Sequence, residues 1–311
     1  MSVWFGLHCP SYSFVDSPTE RLFDRVVEQV RAAEDAGFGL VTVMDHLNQI
    51  PGIGVPDEPM LEAWSTLAAL ARETTRVRLG PLVTGVTYRN PAMLAKTATT
   101  LDVLSGGRAI LGLGAAWYEA EHDAFGFSFP PIKERMDRLD EALSIARGMF
   151  AQERSTFSGR LYETRDVINV PRPVTAGGPP ILVGGGGEQR TLKIAAKHAD
   201  MTHWFPLGLA ALAHKTDVLR GYCEAIGRDP ATIRCAVNVG LAWTDESLRQ
   251  QFGATAEMVR AGVLGGSDDE LVDRVGAYAD AGADQVNISL RAPFDVDAIE
   301  RFSAAAGLPT A

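Results

Sequence analysis

The sequence predicts an α/β fold, a (β/α)8 barrel (TIM barrel) with insertions, and three observations carry that reading. Short apolar or β-branched runs alternate with amphipathic stretches from one end of the chain to the other. Two equivalent helix-to-strand joints stand about 245 residues apart, as a repeated unit requires: Ala36-Gly37-Phe38 before Leu40–Met44, and Ala281-Gly282-Ala283-Asp284 before Val286–Leu290. Eight strands with helices between them favour closure, and the carboxyl ends of the strands then form the reactive face.

The elements follow in order. Val3–His8 is an apolar strand, and Arg21–Ala36 places Leu22, Val26, Val27 and Val30 on one helical face. Gly37 is suited to the left-handed residue that ends such a helix. Leu40–Met44 is the second strand and Val77–Val83 the third, followed by a helix over Pro91–Leu104. Ala109–Leu113 is strand four, and Glu134–Phe150 is a long amphipathic helix. Pro180–Val183 is strand five with its helix over Glu188–His198; Asp200–Trp204 is strand six with its helix over Leu209–Ile226; Ile233–Val239 is strand seven. Ser267-Asp268-Asp269-Glu270 has the capping-box spacing, a hydroxyl and a carboxylate each able to cap the other's amide, and starts a helix to Ala281.

Two stretches break the rhythm. The segment 152–173, with Thr156-Phe157-Ser158-Gly159-Arg160-Leu161-Tyr162-Glu163, reads as a β-hairpin inserted before strand five. Residues 240–266 exceed a simple connection and read as a helical excursion after strand seven. No linker divides the chain, so a single domain over 1–311 is expected, with an open doubly wound sheet as the structural alternative.

Bulk properties narrow the function classes. The 311 residues are 46% hydrophobic, enough to bury a large core without a metal or disulfide framework. A net charge of −10 argues against a general nucleic-acid surface. Cys9, Cys223 and Cys235 are too few and too scattered for a disulfide scaffold, which fits a reducing compartment. No apolar run reaches membrane-spanning length, and the Met1–Gly6 start lacks a leader's charged and apolar regions, so a cytoplasmic location is expected. HExxH, paired CxxC, EF-hand, GxSxG and P-loop patterns do not occur, and no dedicated metal site is expected.

Four segments could carry chemistry. Asp45-His46 follows the second strand and so sits at a barrel mouth, where an imidazole titrating near neutrality can handle a proton. The alternative has Asp45 capping the loop and His46 satisfying a carbonyl. Gly80–Gly85 reads, on its residues alone, as an ordinary strand end. Gly112-Leu113-Gly114-Ala115-Ala116-Trp117 matches a dinucleotide fingerprint only in part; its glycines suit either close approach to a planar ligand, with Trp117 as a wall, or tight strand packing. Gly184-Gly185-Gly186-Gly187-Glu188 is the strongest signal. Four glycines between a strand and a helix let free amides and the helix dipole converge on a phosphate, with a flexible turn as the alternative. Glu119, Glu121, His122 and Asp123 read as a solvated loop.

In this order the motifs resemble the luciferase-like monooxygenase superfamily, particularly its coenzyme F420-dependent oxidoreductases. They run from Ala36-Gly37-Phe38 and Asp45-His46 through Leu79–Thr84, Arg89-Asn90-Pro91, Leu101–Arg108, Gly112–Trp117, Glu121-His122 and Phe125-Gly126 to Pro180–Gly187. The resemblance implies a deazaflavin or flavin ring beside strands two to four, with Asp45 lining it, Gly114 and Ala115 nearby, and His46 facing its redox centre. It implies a non-prolyl cis peptide backing the ring, matched to Pro81–Leu82, with Thr84 on the ring's polar edge and Gly184–Gly187 on the phosphate. That moves Gly80–Gly85 from an ordinary strand end to a functional segment. One departure stands out: some F420-dependent sugar and alcohol dehydrogenases carry a catalytic Glu just after these strand-four glycines, where this chain has Trp117. Glu119 or Glu121 are the residues that could replace it, and the departure speaks against sugar phosphates and simple alcohols as substrates.

The expected activity is hydride transfer between coenzyme F420 and a small organic substrate, with His46 as the proton-handling residue. A reduced-FMN monooxygenase using O2 is the alternative, and a non-catalytic carrier or sensor is the alternative of another class. Arg190 and Lys193 follow the glycine turn, where they suit either an anionic cofactor tail or the role of solvated helix charges. Cys9, Trp117, Tyr162 and Trp204, with Tyr12 and Phe14, are candidates for an aromatic substrate pocket. A homodimer is expected.

Overall fold

Alternating and helical stretches fold in the order the pattern predicts, with boundaries shifted by a residue or three. The computed structural model describes residues 3–14, 17–205 and 208–309; Met1 and Ser2, at the chain start read above for a leader, lie outside them. Strand β1 is Trp4–Cys9, helix α1 Leu22–Asp35 and β2 Leu40–Val43. Gly37 turns the chain between α1 and β2 at φ +84°, a conformation that disfavours any Cβ. Helix α2, Ala63–Glu73, lies in a stretch between His46 and Val77 where the sequence predicts no element; the Glu62 carboxylate accepts from Ser65 N at 2.7 Å and caps it.

Strand β3, Arg78–Pro81, is interrupted at Leu82-Val83 and resumes as β4, Thr84–Gly85. Helix α3, Pro91–Ser105, starts where Asn90 Oδ1 accepts from Ala92 N at 3.0 Å. Then come β5 (Leu111–Gly114), α4 (Glu119–Phe125) and α5 (Ile132–Ala151). The expected hairpin is β6 (Arg154–Ser158) with β7 (Glu163–Ile168), paired antiparallel. Strand β8 (Ile181–Gly184), α6 (Thr191–His198), β9 (Met201–Trp204), α7 (Leu209–Ala225) and β10 (Arg234–Leu241) follow. The excursion holds α8 (Asp245–Phe252), α9 (Ala256–Val259) and β11 (Val263–Leu264). Helix α10 (Asp268–Asp280) carries both halves of the Ser267–Glu270 capping box, and β12 (Gln285–Ser289) and α11 (Asp297–Ala306) complete the described chain.

All pairings of the main sheet are parallel, in the order β3-β2-β1-β12-β10-β9-β8-β5-β4. The ends meet through a Leu79–Ala109 bridge, so eight strand positions close into a barrel, the third split in two.

Side-chain parity decides what each strand offers. Leu7, Cys9, Val41, Val43, Val183 and Trp204 belong to the large apolar shell between strands and helices. The opposite parity faces the axis: Leu40, Ile110, Leu182 and Met201 form a small separate cluster. On the same parity Gln285 Nε2 donates to Asn287 Oδ1 (2.6 Å) and Asn287 Nδ2 to Asn238 Oδ1 (3.0 Å). His8 and His203 share that inward parity nearer the strands' carboxyl ends, where the barrel opens.

Candidate functional site

The carboxyl ends of the strands enclose a cleft of about 660 Å3. Its lining includes Asp45, His46, Leu82, Thr84, Gly114, Ala115, Trp117 and Gly184 to Gly187. Nearly every expected cofactor residue is thus gathered at one place. Pro81 is not: it ends β3, and its carbonyl would meet a Cβ on Gly112 at 2.0 Å.

Asp45 is buried and fully engaged. Its Oδ2 accepts from Thr84 Oγ1 at 2.7 Å and Arg89 Nη1 at 2.5 Å, and its Oδ1 from Arg89 Nη2 at 3.2 Å. Thr84 Oγ1 also accepts from Trp64 Nε1 at 3.0 Å, and Arg89 reaches Glu62 at 2.5 Å. Such a charge leaves water only when paired and hydrogen-bonded, as it is here. The Asp45 and Thr84 side chains therefore serve each other and Arg89, and they fix the strand ends against which His46 is set. Neither the loop-capping reading of Asp45 nor the carbonyl-satisfying reading of His46 describes the arrangement.

His46 Nδ1 donates to Glu121 Oε2 at 3.0 Å. Glu121, buried on α4, also accepts from Tyr88 Oη through Oε2 and from Leu47 N (2.5 Å) and Asn48 N (3.2 Å) through Oε1. Burial alone would raise its pKa, but the bonds from His46, Tyr88 and Leu47 outweigh that and hold it below the ordinary carboxylate value. An ionised carboxylate only accepts, so it keeps the proton of a neutral His46 on Nδ1. Nε2 is left without a partner among the described residues, on a ring that lines the cleft and meets Trp117 in a T-shaped contact. Tyr88 is pushed up by burial first and by Glu121 second, so it stays a phenol donor.

The solvated-loop reading of Glu119, Glu121, His122 and Asp123 is overturned. They lie on helix α4; Glu121 and His122 are buried, while Glu119 is exposed. The three- and four-residue spacing of Tyr118, Glu121, His122 and Phe125, with Gly126 as a left-handed stop, is the signal that marks the helix. His122 itself is spent on Thr87 Oγ1 (2.6 Å) and the Tyr118 carbonyl (2.7 Å).

The cis peptide lies one bond later than expected, at Leu82–Val83 rather than Pro81–Leu82. Val83 packs so closely that a Cβ on Gly114 or Gly184 would come within 2.8 and 2.7 Å of its methyl carbons. Tight packing therefore accounts for these glycines, although both also border the cleft.

The glycine turn differs from expectation in three ways. Helix α6 begins at Thr191, not Glu188. Gly185, at φ +111°, spends its amide on the His203 carbonyl (3.2 Å), whereas the amides of Gly186 and Gly187 have no protein acceptor among the described residues. The cation at the turn is Lys215, donating to the Gly186 carbonyl (2.7 Å) and Glu188 (2.6 Å). Arg190 pairs instead with Asp137, and Lys193 lies on the exposed face of α6.

Of the proposed substrate residues, only Trp117 lines the cleft. Cys9 and Trp204 have outward parity and are buried in the helix-facing shell. Tyr162 sits at the hairpin tip, which Glu141 of α5 pins through the amides of residues 160–162, and it does not line the cleft. Tyr12 is buried and Phe14 stacks on Phe294 at 4.5 Å. The apolar lining comes instead from residues such as Ile50, Phe205, Phe252 and Met258.

Comparison with known proteins places this geometry. The profile described as luciferase-like monooxygenase matches residues 3–251. The F420-dependent hydroxymycolic acid dehydrogenase of Mycobacterium tuberculosis is 33% identical over 217 residues, covering 68% of this chain and 56% of that protein. The chain spans about half the length of the curated relatives it matches. An F420-dependent secondary alcohol dehydrogenase in complex with an F420–acetone adduct superposes with a TM-score of 0.80 at 18% identity, covering 98% of this chain and 99% of the other. The oxygenating constituent of 3,6-diketocamphane monooxygenase from Pseudomonas putida, in complex with FMN, superposes with a TM-score of 0.77 at 18% identity, covering 98% of each chain. At those identities the likeness speaks for the fold.

Proposed function

The chain belongs to the luciferase-like monooxygenase family, and on that premise we propose that it is an oxidoreductase transferring a hydride between coenzyme F420 and a small organic substrate. The observation that carries the reading is the His46–Glu121 couple at the mouth of a cleft backed by Leu82-Val83. The residues present fit such a cofactor. The unpartnered amides of Gly186 and Gly187, beside Lys215, suit a phosphate, and Leu82, Gly114 and Ala115 offer an apolar lining to a ring. Bound there, the deazaflavin would supply hydride chemistry at its C5, while the protein orients and polarises.

The chain's own part is proton handling. Glu121 holds His46 in the tautomer that leaves Nε2 free to accept a proton from a substrate hydroxyl, or to return one as imidazolium in the reverse direction. Glu121 acts through His46, since its own oxygens are taken by Leu47, Asn48, Tyr88 and His46. A reduced-FMN monooxygenase is the second reading, because both cofactors share a tricyclic ring and a ribityl phosphate that the same glycine turn would hold. Fluorescence titration of cofactor-free protein separates them. Micromolar F420 binding with much weaker FMN binding is expected; the reverse preference transfers the assignment to the oxygen-using class, and failure of both removes it.

We take residues 1–311 as one barrel domain, supported by an apolar shell running from Phe5 to Phe302. Three buried, unpaired cysteines support a reducing, cytoplasmic setting, and no helix among the described residues is long and apolar enough to cross a membrane. A homodimer completes the proposal; sedimentation at micromolar concentration tests it, and a monomer there would remove it.

A further inference from the structure

The wall of the cleft that runs from beside the glycine turn along β9, β10 and β12 is built differently. His203, Asn238 and Arg291 line it from the ends of β9, β10 and β12. His203 is 4% exposed, and its Nε2 is buried without a hydrogen-bond partner among the described residues. Arg291 Nε is likewise buried and unpartnered. One of its terminal nitrogens donates to the Gly52 carbonyl at 2.7 Å, the guanidinium lies 4.6 Å from the Phe252 ring centre, and no carboxylate pairs with it among the described residues. Asn238 has its Oδ1 taken by Asn287 at 3.0 Å, which leaves its amide N–H groups to donate. His8, on the neighbouring strand, is depressed to about 3 by burial first and then by His203 and Arg291, so these groups act on one place. Burial holds His203 at about 4 against a smaller upward pull from the neighbouring Asn238 side chain, so it is a neutral ring that can donate from Nε2.

The wall therefore presents donors and one cation, and among the described residues nothing negative faces it. Among the described residues Asp45 is the one carboxylate bordering the cleft, and both its oxygens are held by Thr84 and Arg89. Half-buried guanidinium without a counter-ion is costly, and a ligand carboxylate removes that cost while accepting from the planar donor fork. We propose that His203, Asn238 and Arg291 form a subsite for the carboxylate of the substrate, whose apolar body lies against Phe205, Phe252 and Met258. This rests on the cleft being the substrate site of the proposed oxidoreductase, and it narrows the substrate class to small apolar carboxylic acids bearing the oxidisable or reducible carbon elsewhere.

A carboxylate can also come from the cofactor's glutamate tail, so the test separates the two sources. Calorimetric or thermal-shift titration uses benzoate, phenylacetate and hexanoate against their neutral amides, with and without F420. At least one acid should bind tenfold or more tightly than its amide in both conditions. Arg291→Gln should erase that preference and change F420 affinity by less than threefold, and Arg291→Lys, which keeps the charge, should retain a few-fold preference in a folded protein. The proposal is overturned if no acid is preferred over its amide, or if Arg291→Gln leaves the preference intact. It is also overturned if Arg291→Gln weakens F420 as much as the acids, which would assign the site to the cofactor tail. Acid binding through Arg291 without F420 binding would keep the subsite and remove the cofactor assignment; F420 binding without acid preference would do the opposite.

Discussion

The two sides of the cleft are built on opposite principles. On the side of β2, β4 and α4, polar groups are saturated by one another: Asp45 by Thr84 and Arg89, Glu121 by His46, Tyr88 and two backbone amides. On the side of β9, β10 and β12, His203 and Arg291 keep buried nitrogens without partners. A saturated network fixes one geometry and suits an invariant task such as holding His46. Unsatisfied donors cost stability in the free protein and are recovered only when a ligand supplies the acceptor. The contrast assigns the first wall to orientation and the second to recognition.

Breaking the saturated wall should cost most. Asp45→Ala leaves Arg89 and Thr84 facing an emptied carboxylate site, and about 3–5 kcal/mol of unfolding free energy should be lost in denaturant titrations. A loss under 1 kcal/mol would mean that Arg89 simply turns to Glu62 and water.

Acid should weaken the other wall next. His8 and His203 stay neutral in the folded protein, at about 3 and about 4 against an ordinary 6.5. Between those values the unfolded chain binds more protons, so stability falls as the pH drops from about 6.5 toward 4. Each ring contributes up to about 2 kcal/mol of that loss at pH 5. His203→Gln should flatten the melting-temperature profile between pH 7 and 5, and an unchanged slope would place the acid sensitivity elsewhere.

Glu121→Gln should be milder, about 1–3 kcal/mol, because an amide oxygen can still accept from Leu47 and Asn48. Its specific mark is on His46. Nitrogen NMR should find neutral His46 protonated on Nδ1 in the parent protein and a tautomer mixture in the variant, with the same tautomer in both counting against Glu121 as the positioning group. Smallest of all, Trp117→Ala should stay within about 0.5 kcal/mol in stability, since Trp117 is 56% exposed at the cleft rim.

The same contrast explains what the sequence disclosed. Gly37 and the Ser267–Glu270 box announce their turn and cap because the chemistry is local, and both form as expected. Asp45-His46 was legible as a strand-end pair, but its true partners, Thr84, Arg89 and Glu121, are 39 to 75 residues away. Cys9 and Trp204 suggest pocket walls by residue type, but the parity of their strands turns them outward; their neighbours His8 and His203 face the cleft. No local motif marks the His203–Asn238–Arg291 wall, since three strands contribute one residue each. Lys215 was missed for a related reason: it reaches the glycine turn from a different helix.

The central claim is that the glycine turn holds the cofactor and the neighbouring wall of β9, β10 and β12 the substrate, and one paired titration tests it. A Cβ at Gly186 would meet only Trp204 and Lys215 at ordinary contact distance, so Gly186→Leu can fold while filling the phosphate position. F420 fluorescence titrations of Gly186→Leu and Arg291→Gln should give at least tenfold weaker binding for the first and less than a threefold change for the second. Equal losses in both, or a loss confined to Arg291→Gln, would contradict that division.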